Sequence, residues 1–158
     1  MTSNVEHSID VNVPLSTAYN QWTQFEEFPR FMEAVKQVRQ LDDKTLEWTA
    51  EIAGNEETWT AEITEQEPDQ RIAWRSRSGA PNGGVVTFQH IDDHTTRVML
   101  QMEWDPQGAV QNLGDALGFD DRQVKGDLER FKEFIEARGT ETGAWRGEID
   151  EGATTGSR

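Results

Sequence analysis

Trp22-Thr-Gln-Phe-Glu-Glu-Phe-Pro-Arg-Phe-Met32 sets four aromatic rings and a proline into eleven residues. An uninterrupted core helix does not tolerate that proline, which fits only near a first turn or at a bend. The stretch therefore reads as an aromatic elbow after a short helix that Ser16 can cap and that carries Ala18, Tyr19 and Trp22. Before it, Val5 to Val13 alternates, with Ile9, Val11 and Val13 on one face and Ser8, Asp10 and Asn12 on the other. That is a strand with one wet side.

After the elbow the period is two as far as Trp104. Leu46, Trp48, Ala50 and Ile52 share a face, as do Trp59, Ala61 and Ile63, then Ile72, Trp74 and Ser76, then Val86, Phe88 and His90, then Val98, Leu100, Met102 and Trp104. Turn signals at Asp42-Asp43, Gly54-Asn55, Pro68-Asp69, Asn82-Gly83 and Asp92-Asp93 separate the runs, which predicts one strongly curved antiparallel sheet. Val110, Leu113 and Leu117 suggest a helical approach weakened by Gly114 and Gly118. Asp120 and Gln123 then form a capping-box pattern opening a helix with Val124, Leu128, Phe131 and Ile135 on one side and Gly139 as its stop. Residues 1–138 read as a single domain, and 139–158, rich in Gly, Thr and charge, as a flexible tail. Trp145 in that tail is either exposed or docked back onto the domain or a neighbour.

The chain has 158 residues, enough for one domain with a real core, and its 34% hydrophobic content includes six tryptophans and seven phenylalanines. A formal charge of −15 argues against nucleic-acid partners and anionic membrane surfaces, both of which recruit clustered Lys and Arg. With no cysteine, thiolate catalysis and disulfides are excluded. No stretch has the length and apolarity of a membrane span and no leader pattern opens the chain, so a cytoplasmic protein, monomeric or weakly dimeric, is expected.

The inward rings Trp48, Trp59, Trp74, Phe88 and Trp104 lie on different strands of one curved sheet. They either interlock with the last helix as a solid core or line a cavity for an apolar ligand. His90-Ile-Asp-Asp-His94 has the spacing of a helical metal pair but spans a strand end and a turn, so no metal site is expected. His90, on the parity of Phe88, is the candidate acid or base, and His7 shares the facing of Ile9. Gly79 to Gly84 lacks the Lys-Ser/Thr of a phosphate loop and reads as a hairpin connection. Arg71, Arg75 and Arg77 face outward and are expected to pair with glutamates such as Glu62.

Several stretches carry a family resemblance: Ser8-Ile-Asp-Val-Asn-Val-Pro14, Trp22 with Phe25 to Phe31, Arg71-Ile-Ala-Trp-Arg75, Gly84-Val-Val-Thr-Phe88, Thr96-Arg-Val98 and Asp127-Leu-Glu-Arg-Phe-Lys132. Over residues 5–138 the chain resembles the polyketide cyclase/dehydrase and lipid-transport group of the START and birch-pollen-allergen (SRPBCC) superfamily. The resemblance implies an α+β helix-grip fold: a curved seven-stranded antiparallel sheet around a long C-terminal helix, with two short helices after the first strand. It further implies a deep apolar cavity lined or gated by Phe28, Phe31, Trp48, Trp59, Trp74, Ser76, Phe88, Met102, Trp104, Leu128 and Phe131, with no cofactor and a lipid, quinone or polyketide as ligand. A carrier is the first expectation. A cyclase or dehydratase using His90, and a stress or co-chaperone module acting through its surface, are the alternatives.

Overall fold

The computed structural model describes residues 3–33, 35–52, 55–77, 82–104, 121–150 and 153–155. Strand β1 (Ser3–Val11) leads into helix α1 (Leu15–Trp22) and a 3₁₀ helix (Phe25–Arg30). Six strands follow: β2 (Val35–Asp42), β3 (Thr45–Ile52), β4 (Asn55–Glu67), β5 (Arg71–Ser76), β6 (Asn82–Asp92) and β7 (Thr95–Trp104). The long helix α2 (Asp121–Arg138) and two short strands, β8 (Glu148–Asp150) and β9 (Ala153–Thr155), complete the order.

The sheet runs β1-β7-β6-β5-β4-β3-β2, every pair antiparallel, because hairpins join successive strands from β2 to β7 while β1 closes beside β7. This is the helix-grip α+β fold. Its inner face carries the alternating residues read from the sequence: Leu46, Trp48, Trp59, Ile63, Ile72, Trp74, Val86, Phe88, Val98, Leu100 and Met102 are all buried. Against them lie α1, the 3₁₀ helix and the apolar stripe of α2, in which Val124, Leu128, Phe131 and Ile135 are buried. The outer face is laced by ion pairs, among them Arg97 with Asp10 at 2.8 Å, Arg39 with Glu47 at 3.2 Å and Arg77 with Glu62. Such exposed pairs each contribute only a fraction of a kcal/mol.

Register is interrupted in β4. Ile63 faces Trp74, but Glu65 faces Ala73, so Thr64 is an extra residue and the alternation changes phase. Gln66, not Glu65, then turns inward beside Ile72 and is buried.

The reading of residues 139–158 as a flexible tail is corrected by the packing of 139–150. Gly139, at φ +76, ends α2 in the left-handed conformation that glycine adopts freely, and the chain turns back across α1. Asn20 Nδ2 donates to Glu141 at 2.8 Å, and Gln21 both donates to Thr142 Oγ1 at 3.1 Å and accepts from its N–H at 2.9 Å. The Trp145 N–H donates to Thr23 Oγ1 at 3.1 Å, and β8 pairs with β4 through Ile149 and Gln66. The physical reason is that α1 presents a polar row, Asn20, Gln21 and Thr23, whose amides and hydroxyl are matched group for group by the returning segment. The expected approach helix with Val110, Leu113 and Leu117 and the cap at Asp120 lie outside the described residues.

Ile149 is 1% exposed, so Ile149→Ala is expected to lower the unfolding free energy by about 2 kcal/mol. A mobile tail would give an unchanged urea midpoint. Burial raises the Glu141 carboxyl, but the Asn20 amide, a backbone N–H, the Thr140 hydroxyl and Arg146 outweigh it and hold the group below its ordinary 4.5. Its contribution is therefore complete above that value and is lost as pH falls through the lower folded-state pKa. The protection of backbone amides across 141–150, relative to their intrinsic exchange rate at each pH, is expected to fall on acidification in that window.

Candidate functional site

Two aromatic neighbourhoods divide the space between sheet and helices. The first is a closed knot. Trp22 meets Phe28 at 5.2 Å, Phe31 at 5.6 Å and Phe131 at 5.3 Å, and Phe31 meets Phe131 at 5.2 Å between ring centroids. All four rings are 1% exposed or less. Edge-to-face and tilted contacts of this kind add to the burial of the rings themselves. Phe28, Phe31 and Phe131, expected at a cavity wall or gate, are packed into this knot, and Leu128 is buried in the same core.

The second neighbourhood lies in the same buried core. Trp48 and Trp59 are directly opposite in the register and stack at 6.0 Å with planes 7° apart. These two rings, with Trp74, Phe88 and Met102, keep 5–8% exposure, in contrast to the closed knot. Phe28 bridges the groups, 5.7 Å from Trp48. Like that of Trp22 in the knot, the indole N–H of Trp48 is buried with no hydrogen-bond partner among the described residues. An acceptor oxygen brought against that ring would satisfy it.

Gly84 makes room for this arrangement. A Cβ there would stand 2.7 Å from Trp74 Cζ2, 2.8 Å from Met102 Sδ and 3.0 Å from the Gln101 carbonyl oxygen. Ser76 is half-buried in the row opposite Ala61. Trp104 ends β7, and its side chain is outside the described set.

His90 is not an interior residue, which corrects the expectation drawn from its parity with Phe88. A register shift separates His90 from Asp92, so the strand is already leaving the covered part of the sheet. The imidazole is 57% exposed, with Nε2 3.8 Å from Asp93 Oδ1. His7, opposite Leu100 in the middle of β1 and half-buried, is the histidine on inner-face parity. Among the described residues no group of three His, Asp or Glu side chains is placed to hold a metal ion.

The elbow is fastened to α2 by one guanidinium. Arg130 Nε donates to the Phe31 carbonyl at 3.0 Å, its Nη2 pairs with Asp127, and its Nη1 is 3.6 Å from Glu33. Asp127 also accepts from the Glu33 N–H at 3.3 Å. At the far side, Lys132 and Glu136 of α2 clamp the end of β1 through the Asp10 carbonyl and the Asn12 N–H. A recess of about 520 Å³ is lined by Glu6, Glu65, Ala73, Arg75, Val85 and Glu103 of the outer face and also by Val5, Trp74, Gly84 and Met102.

Residues 11–133 match the family model described as polyketide cyclase/dehydrase and lipid transport. The chain belongs to this family. It is 54% identical over 148 residues to an uncharacterized 17.2 kDa protein of the melC2-rnhH intergenic region of Streptomyces lincolnensis, covering 93% of this chain and 99% of that one. Among solved structures, it resembles the Zhui aromatase/cyclase of Streptomyces sp. R1128, with a TM-score of 0.76, 17% identity, and coverage of 92% of this chain and 100% of the other. A START superfamily protein of Mycobacterium smegmatis gives a TM-score of 0.70 at 12% identity, covering 85% and 98%. At these identities the two structural likenesses establish the fold alone. No helix of the described residues is long and apolar enough to cross a membrane.

Gly84→Ala is expected to displace Trp74 or Met102 and to cost about 2 kcal/mol, measured as a shift in the urea midpoint. An unchanged midpoint would mean that the two side chains are not held where they close over this glycine.

Proposed function

We propose that this family member binds a hydrophobic small molecule against the inner face of its sheet and carries or sequesters it. The observation that supports this reading is the contrast between the two aromatic groups. Where Trp22, Phe28, Phe31 and Phe131 exclude solvent, Trp48, Trp59, Trp74, Phe88 and Met102 keep a residual accessible surface although they lie on the inner face. Flat rings on adjacent strands offer an apolar wall, and each Å² that a ligand covers is worth about 25 cal/mol. The unpartnered Trp48 N–H supplies a directional contact in that wall.

A second reading is a polyketide cyclase or dehydratase. The family description and the likeness to an aromatase/cyclase motivate it, and the exposed position of His90 weighs against the residue first considered for its acid–base step. His7 is the better placed group for such chemistry.

Two substitutions separate the readings. For a carrier, Trp48→Ala weakens uptake of a neutral solvatochromic dye by about tenfold or more, whereas His7→Ala leaves it within about twofold. For a cyclase, His7→Ala abolishes turnover of a poly-β-ketone substrate that the wild type converts. Uptake insensitive to Trp48→Ala would remove the inner face from consideration.

A further inference from the structure

A second set of buried polar groups sits at the β4–β5 end of the inner face. Tyr19 Oη, Gln66 Nε2 and Asp69 Oδ1 are each buried with no hydrogen-bond partner among the described residues. They come from three places, α1, β4 and the β4–β5 turn, so no local motif accounts for them. The phase change in β4 brings Gln66 inward, and Asp69 adopts φ 63, a left-handed conformation that few non-glycine residues take. Tyr19 is fully buried with its ring edge-on to Phe88, centroids 5.4 Å apart, which ties it to the aromatic rings of the inner face.

Arg146 of the returning C-terminal segment closes this corner. Its Cζ lies 5.4 Å from the Tyr19 ring centroid, its Nη2 2.8 Å from Asp69 Oδ2 and its Nη1 2.6 Å from Asn20 Oδ1. Burial pushes the Tyr19 hydroxyl up to about 12, against the opposing effects of the neighbouring Gln66 amide and the Arg146 charge, so it stays protonated at neutral pH. Gln66 lies beside that hydroxyl without reaching hydrogen-bond geometry.

We propose that Tyr19, Gln66 and Asp69 form a subsite for a neutral hydroxyl group, so that the preferred occupant of the inner face is a phenol or alcohol. This rests on the interior-binding reading above and names its ligand class. The chemistry is complementary: an amide N–H donates, a carboxylate oxygen accepts, and a phenol can do either. A ligand hydroxyl oxygen would accept from Gln66 Nε2 and the Tyr19 hydroxyl while its own O–H donates to Asp69 Oδ1. A carboxylate would face the Asp69 oxygen, and a plain hydrocarbon would leave all three groups unpaired. A bound water offers the same chemistry as a ligand hydroxyl, and the experiment distinguishes them.

Tyr19 is the only tyrosine of the chain, so protein carrying tyrosine isotope-labelled at Cζ gives a single phenol-carbon resonance. The full-length protein is titrated with β-naphthol and with naphthalene, which differ by one hydroxyl. We expect β-naphthol to bind about tenfold more tightly, to move the resonance, and to lose its advantage in Tyr19→Phe and in Gln66→Leu. Equal affinities with an unmoved resonance mean that water alone uses the site, which overturns the subsite and leaves interior binding intact. A preference for β-naphthol without movement of the resonance places the hydroxyl elsewhere and also overturns it. Failure of both compounds to bind overturns interior binding itself, and the subsite with it. The wild-type measurements stand even if a variant does not fold.

Discussion

The contact on which the rest of the structure depends is the meeting of Trp22, Phe28, Phe31 and Phe131, because it joins three separately specified pieces of chain. Trp22 closes α1, Phe28 lies on the 3₁₀ helix and Phe31 directly after it, and Phe131 lies on α2 about a hundred residues later. Without this knot, α2 would have its apolar stripe but no fixed position along the sheet. Arg130, one residue from Phe131, fastens the same junction by its bond to the Phe31 carbonyl. Apolar burial supplies the strength and the guanidinium supplies the direction.

With the knot solid at one side, the inner face is left to the stacked indoles of β3 and β4 and their neighbours on β5 to β7. The division of labour is physical. Rings supplied by helices and elbow interlock in edge-to-face and tilted contacts, whereas Trp48 and Trp59 on paired strands are held parallel by the register and stack on one another. A wall of this kind recognises size and shape, and polar groups at its margins must supply chemical discrimination. Trp48 Nε1 and the Tyr19–Gln66–Asp69 corner are the groups available for it.

Much of this was legible along the chain. Alternation marked the inner residues of β3 to β7, since a period of two leaves little freedom once one face is buried, and spacings of four, three and four marked the buried stripe of α2. Less legible were the places where the period breaks. Parity placed His90 with Phe88, but parity does not say where the covered part of a strand stops. Gln66 was concealed by an extra residue in β4, and the Pro68-Asp69 turn signal carried no sign that Asp69 would meet Arg146.

The C-terminal segment shows the same limit from the other direction. Its composition, Gly, Thr and charge, is that of a solvated tail, and a polar row on α1 reads as that helix's wet face. Neither half is informative alone, because hydrogen bonds between Asn20, Gln21, Thr23 and residues more than a hundred positions away leave no periodic trace. The sequence by itself determined the strands and helices up to Arg138 and most of their buried faces, because those follow from local periodicity and chain-breaking residues, and its family resemblance implied the helix-grip arrangement. Only the tertiary structure decided which rings interlock and which polar groups meet beside Arg146. Those outcomes depend on three-dimensional neighbours that no stretch of chain specifies by its own pattern.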